Sequence, residues 1–309
     1  MKLATYILND RESYGLVVDG GVVDMPTACP KGPPTALAAL QAGEEALGLL
    51  KEMARLRPTA PLDAVRLLAP LPAPPKVIGL AVNYAEHHRE FDRGQDLPDD
   101  PRRRTTPHPF LMPATAVTGP NTTIPWPVFS RQIDYEVELA VVIGRPTARV
   151  TPAEAAGCLF GYTIANDVSA RSATFAEGRQ ERPKDAFFDW LHGKWADGFC
   201  PLGPWIVSAD DLGDPRDLAI ECLVNGQIRQ SARTGAMIFD VYELVSFISH
   251  IMTLTPGDVI ATGTPSGVGM ATGRLLQGGD TITCRIEGIG ELTNTLGPPP
   301  EAFYAPRKA

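Results

Sequence analysis

Short apolar runs and alternating apolar–polar segments, bounded by Gly, Pro, Asn and Asp, dominate the chain and predict a β-rich protein. Residues 1–24 read as a meander, with Thr5-Tyr6-Ile7-Leu8, 13–18 and Gly21-Val22-Val23 as strands and Asn9-Asp10 and Asp19-Gly20 as turns. Leu37, Leu40, Leu47, Leu50 and Met53 follow at helical spacing and predict one amphipathic helix over residues 35–57. Pro70-Leu71-Pro72-Ala73-Pro74-Pro75 offers few backbone donors and reads as a stiff connector. It divides the chain into a small N-terminal α/β domain, 1–70, and a larger domain, 71–309. In the larger part, strands are predicted at 76–80, 133–143, 161–166, 205–208, 218–224, 258–262 and 281–286. Helices are predicted at 152–158, capped by Thr151 with Glu154 three residues on, and at 241–252. The fold class is therefore α+β and β-rich, without a regular βαβ repeat.

The segment Ile133-Asp134-Tyr135-Glu136-Val137-Glu138-Leu139 carries the strongest chemical suggestion. In an extended strand, Asp134, Glu136 and Glu138 share one face, with neighbours about 7 Å apart at Cα. Such carboxylates can converge on one small hard cation, Mg²⁺, Mn²⁺ or Ca²⁺; the other reading is a half-buried strand with a solvated acidic face. Asn83-Tyr84-Ala85-Glu86 has the form of a capping box, Asn83 being the N-cap, so His87 and Glu90 lie three apart on a helix. A carboxylate that orients an imidazole makes a general base, although the same spacing also describes a surface ion pair. Asp167 ends a strand-like run and is either a third carboxylate or a local cap. Lys194 sits among Phe187, Phe188, Trp190 and Trp195, either partly buried against an anion or snorkelling to the surface. The stretch 256–269 reads as turn, strand and glycine-rich loop, whose N–H groups and Thr264 hydroxyl can hold a carboxylate or form a hairpin connection. It is not a nucleotide loop, because no Gly-Lys-Ser/Thr or Gly-x-Gly-x-x-Gly pattern is present. Residues 91–108, with Arg102, Arg103 and Arg104, read as a long lid-like loop.

Composition narrows the partners. The 309 residues are 44% hydrophobic, enough for a sizeable core, and carry a net charge of −8, which disfavours nucleic acid. Five scattered cysteines without a Cys-x-x-Cys pair suit a reducing, cytoplasmic setting. The opening residues lack a basic-then-apolar signal and no run is long enough to span a bilayer, so no membrane association or processing is expected.

Taken together, Asn83-Tyr84-x-x-His87-x-x-Glu90, Asp134 to Leu139, Asn166 to Arg171, Gly193-Lys194, Phe199 to Pro204, Val224-Asn225-Gly226 and Thr262-Gly263-Thr264-Pro265-x-Gly267-Val268-Gly269 resemble the fumarylacetoacetate hydrolase family. The resemblance implies a small N-terminal domain followed by a mixed β-sandwich roll, commonly a homodimer. It implies Mg²⁺ or Mn²⁺ on Glu136, Glu138 and Asp167, with Asp134 supporting these ligands. It implies a His87–Glu90 dyad beneath a lid, and Lys194 facing substrate. Thr264 and Gly263 correspond to substrate-carboxylate binders, and Gln230 and Thr234 to further contacts. The implied reaction is metal-dependent hydrolysis of a carbon–carbon bond in an acylpyruvate-like or related small 2-oxo acid through a metal-bound enolate. Decarboxylation or isomerisation of a 2-oxo or 2-hydroxy-dienoic dicarboxylic acid, and a catalytically silent metal-binding scaffold, are the alternatives. Ala81, Met112 and Thr174 depart from the family pattern, and with them the identity of the substrate.

Overall fold

The strand Val137–Ile143 is buried along its whole length. Alternation sends Val137, Leu139, Val141 and Ile143 into one hydrophobic core and Ala140 and Val142 into another. A strand clothed on both faces sits in the middle of a sheet, and this one pairs antiparallel with Leu159–Asn166 on one side and Val259–Ala261 on the other. A computed structural model describes residues 1–91 and 105–305 of the chain. Most of the expected lid, including Arg102, Arg103 and Arg104, lies outside the described residues.

The sheet around this strand has 12 strands. From Leu159–Asn166 it continues through Cys200–Ser208 to Lys2–Leu8, Arg11–Val18, Gly21–Asp24 and Ala60–Pro61. On the other side, Val259–Ala261 pairs parallel with Val77–Ala81, which pairs antiparallel with His108–Met112. The N-terminal meander forms as expected and is hydrogen-bonded into the main sheet through Lys2–Leu8 and Cys200–Ser208, so the sheet crosses the proline connector. A five-stranded sheet, ordered Gln227–Arg233, Ala219–Val224, Thr281–Ile286, Gly290–Leu296 and Thr123–Ile124, supplies the second layer. Its Ile220, Cys222, Val224, Ile282, Cys284 and Ile286 share the larger core with Val137 and Leu139, as do Val241, Leu244, Val245 and Ile248 of the helix Val241–Ile251. Two sheets with helices against them make the β-rich α+β architecture that the pattern implied. No helix among the described residues is long and apolar enough to cross a membrane.

Three local expectations are corrected. The helix expected over 35–57 is two helices, Ala36–Gln41 and Glu44–Met53, because Gly43 between them adopts φ +79°, a conformation that cannot continue a helix. Asn83 is not an N-cap. Its amide donates to the Phe239 and Thr262 carbonyls and accepts from the Phe239 N–H, so it ties three segments together while the helix Ala85–Phe91 begins beyond it. The strand expected over 133–143 is broken at Tyr135-Glu136. Ile133–Asp134 pairs with Ser169–Ala170, and side chains replace the ladder at the break: Asp134 accepts from the Tyr135 N–H, Asn166 from the Glu136 N–H and Gln230 from the Val137 N–H.

Candidate active site

That break aims the acids. Asp134 is fully buried and spends its carboxylate on the Tyr135, Gly269 and Met270 N–H groups at 2.9, 2.6 and 2.9 Å and on Arg171 Nε at 2.9 Å. It is a support, as the resemblance implied. The same guanidinium donates through Nη2 to Glu136 Oε1, so Arg171 clamps the two acids on either side of the break. Ser169 also donates to Glu136 Oε1, at 3.2 Å.

One carboxylate oxygen from each of Glu136, Glu138 and Asp167 lies within 4.8 Å of the others, and all three residues are buried. Lys194 Nζ donates to Glu136 Oε2 at 2.8 Å and to Asp167 Oδ2 at 2.6 Å. The expected lysine is therefore deeply buried, and its first partners are the expected metal ligands. Counting Asp134, four carboxylates face two cations, Arg171 and Lys194, leaving two formal negative charges in a region with little water. Glu138 Oε1 and Asp167 Oδ1 are buried and have no hydrogen-bond partner among the described residues. Orphaned carboxylate oxygens, an all-oxygen donor set and a surplus of two negative charges fit a hard divalent cation. Without one, the three carboxyl groups are pushed apart in acidity. Burial, followed by the charges of Asp167 and Glu136, pushes the Glu138 carboxyl well above the ordinary range. Burial raises Asp167 to about 6, with Lys194 opposing and Glu136 adding to the rise. For Glu136, burial is outweighed by Lys194, Arg171 and His87, and its carboxyl falls to about 2.

The helix Ala85–Phe91 places His87 Nδ1 3.0 Å from Glu90 Oε2. Glu90 is itself fixed, since its Oε1 accepts the Gly267 N–H at 2.7 Å. The glycine-rich loop that holds Glu90 also holds Glu138, whose Oε2 accepts the Gly263 N–H at 2.7 Å. One loop thus orients a carboxylate of the triad and the partner of the imidazole. Two of its glycines are needed for it: Gly263 and Gly267 have φ +93° and +103°, and a side chain at Gly267 would meet the Arg229 carbonyl oxygen at 2.3 Å.

His87, Glu136, Asp167, Arg171, Lys194 and Thr264 share the wall of a cleft of about 1000 Å³ whose remaining lining is mostly apolar. The structure thus brings together the expected base, lysine and acids. Glu138, Glu90 and Gly263 lie behind that wall and act through the bonds just described. Thr264 donates to the Val137 carbonyl at 2.9 Å and accepts from Gln230 Nε2 at 2.8 Å, so its hydroxyl is committed to the framework. Gln230 also donates to the Pro265 carbonyl and is not among the lining residues. Thr234 is away from the cleft wall, with its hydroxyl between the Pro215 carbonyl and the Leu218 N–H. Met112 is buried in the core and Thr174 donates to the Tyr304 carbonyl, so neither of these lines the cleft, whereas Ala81, the third departure from the family pattern, does. Sequence reading assigned no role to Arg171 or Asn166, although both lie in the quoted Asn166 to Arg171 motif. It also missed the helix Asp185–His192, which is only 8 residues long and has no side-chain cap at its start.

A continuous β-rich scaffold around a buried carboxylate triad that could hold a metal ion, with an imidazole–carboxylate dyad, defines the class of site. Residues 76–297 match the fumarylacetoacetate (FAA) hydrolase C-terminal family model. The chain belongs to the fumarylacetoacetate hydrolase family and is an enzyme of that family. It is 38% identical over 282 residues to the mitochondrial oxaloacetate tautomerase Fahd2a of Rattus norvegicus, covering 90% of this chain and 85% of the relative. Among solved structures it is similar to 5-carboxymethyl-2-hydroxymuconate delta-isomerase from Mycobacterium smegmatis, with TM-score 0.73, 37% identity and coverage of 97% of this chain and 100% of that one. Maleylpyruvate hydrolase from Sphingobium sp. SYK-6, solved with manganese(II) and pyruvate, gives TM-score 0.76 at 28% identity, again over 97% and 100%.

Proposed function

We propose that this enzyme is a divalent-metal-dependent hydrolase that cleaves a carbon–carbon bond in an acylpyruvate-like 2-oxo acid. The observation that carries the reading is the meeting, in one cleft, of an oriented imidazole and a buried carboxylate triad short of positive charge. Glu136, Glu138 and Asp167 would hold Mg²⁺ or Mn²⁺. When bound, the ion would supply Lewis-acid polarisation of the oxo acid.

The remaining chemistry falls to the chain. His87, its Nδ1 held by Glu90, takes a proton from water, and the resulting hydroxide adds to the distal carbonyl carbon. The carbon–carbon bond breaks with its electron pair staying on the oxo-acid carbon, which recovers the proton from His87. One water is consumed, and a carboxylic acid and a smaller 2-oxo acid leave. Lys194 and Arg171 keep the acids ionised and in place, and Lys194 adds positive charge where the oxo acid becomes electron-rich. A second reading, keto–enol tautomerisation or double-bond isomerisation, uses the same base on carbon instead of water. The activities named for the rat relative and for the Mycobacterium smegmatis structure favour it.

Turnover of acylpyruvates, oxaloacetate and a hydroxymuconate, with products identified by mass, separates the two. Release of a carboxylic acid together with a shorter 2-oxo acid from an acylpyruvate is the expected result, and mass-neutral conversion alone would replace hydrolysis by isomerisation. Homodimeric assembly and a cytoplasmic location belong to the same proposal. Light scattering checks the first, and cell fractionation the second. All five cysteines are unpaired, which accords with a reducing compartment.

A further inference from the structure

We infer that the outer end of the cleft selects a substrate with an apolar, uncharged tail, a monocarboxylic acylpyruvate rather than a dicarboxylate. This rests on the reading above that the substrate is a 2-oxo acid, and it concerns the part of that acid remote from the reacting carbons.

The cleft is polar where the triad lies and apolar beyond it. Phe110 of the strand His108–Met112 and Phe187 and Trp190 of the helix Asp185–His192 form a connected aromatic wall. The Phe110 and Trp190 rings meet edge to face at 5.0 Å, and Trp190 and Phe187 lie 5.9 Å apart. Lys194 Nζ is 6.0 Å from the Phe110 ring centre, so the wall starts at the carboxylate cluster and runs outward to the surface. Leu111 and Ile251 join it at the mouth. Phe187, Leu111 and Ile251 are 54%, 51% and 58% exposed, an unusual state for three large apolar side chains lining one cleft.

Charge points the same way. Among the described lining residues the arginines and lysines are Arg171 and Lys194, and both are already bound to Asp134, Glu136 or Asp167. Outside the triad region, the His108 ring and the Trp190 indole N–H are the remaining polar side-chain groups of the described lining. A second carboxylate laid along this wall would shed water with no free arginine or lysine among the described lining residues to match it, whereas a phenyl or alkyl group would remove apolar surface from water on both sides.

Benzoylpyruvate and succinylpyruvate test the inference, since both present the same oxo-acid head and differ in the tail. With the Mn²⁺-loaded full chain, kcat/KM is expected to favour benzoylpyruvate by about tenfold or more. Calorimetric Kd values in His87→Ala, which does not consume the ligand, are expected to show the same order. Phe187→Ala should narrow the preference, and Leu111→Arg should shift it towards succinylpyruvate. Both positions are exposed, and circular dichroism confirms that each variant folds. Equal or tighter binding of succinylpyruvate, or a preference unmoved by both substitutions, would overturn the inference. Tight benzoylpyruvate binding without turnover would keep the apolar subsite and remove the hydrolase reading. Preferred turnover of succinylpyruvate would do the reverse.

Discussion

His87 is useful as a base because Glu90 fixes its ring and the Gly267 N–H fixes Glu90. His87→Ala should lower kcat by about 100-fold or more while leaving Mn²⁺ affinity near that of the native protein, as steady-state kinetics and titration calorimetry would show. Wild-type turnover in that variant would remove His87 from the mechanism. Glu138 has a different duty. Among the described residues no side-chain cation donates to its carboxylate, which is held instead by the Gly263 N–H. Glu138→Gln should weaken Mn²⁺ binding by about tenfold or more, yet leave the melting temperature of the metal-free protein unchanged or higher, because a buried acid is removed and the amide still accepts from Gly263. A large drop in metal-free stability would mean that Glu138 serves the fold.

The acids also set a pH dependence. Burial raises Asp167 to about 6 and raises Glu138 well above the ordinary carboxyl range in the metal-free protein, so the folded state holds protons that the unfolded chain gives up at lower pH. Stability of the metal-free protein should therefore fall as pH rises through about 6, since folding there keeps protons that solution removes. Metal affinity should move oppositely, rising across the same interval because a proton and a cation compete for the same oxygens. Parallel thermal melts and Mn²⁺ titrations across that interval check both signs, and a flat profile in both would mean that the triad is already ionised.

At the scale of elements, what mattered to the site was the interruption of a strand. Alternation in 133–139 grouped Asp134, Glu136 and Glu138, and the fold brings two of them, Glu136 and Glu138, together with Asp167 from another segment, while Val137–Ile143 keeps the alternation with one face feeding each core. The sequence pattern could not show the break at Tyr135-Glu136, because it depends on Asn166 and Gln230 reaching in from distant segments to satisfy the Glu136 and Val137 N–H groups. Asn83 misled for a related reason. A capping box is a local pattern, and here a tertiary use of the same amide, to Thr262 and Phe239, prevailed. Asn83→Ala would leave these buried backbone groups without partners and should cost about 2 kcal/mol in urea unfolding, with the His87 helix loosened as well. A change below about 0.5 kcal/mol would show that the tie is dispensable. Gly43 interrupts the expected N-terminal helix through backbone conformation, which apolar spacing does not register.

For the molecule as a whole, the continuous sheet explains why residues from widely separated segments can hold a buried charge cluster in register. Glu138 and Asp167 stand on or beside adjacent paired strands, Lys194 precedes a third, and the loop after Val259–Ala261 closes over them. The acids, the dyad and the lysine were legible because each lies in a short motif. Their mutual geometry, the Arg171 clamp and the aromatic wall required the fold. The central claim is that Glu136, Glu138 and Asp167 enclose one divalent ion beside His87. A crystal grown with Mn²⁺ and measured at the manganese absorption edge tests it most directly. The account predicts a single strong anomalous peak within coordinating distance of all three carboxylates. A peak elsewhere, or none at saturating Mn²⁺, would contradict it.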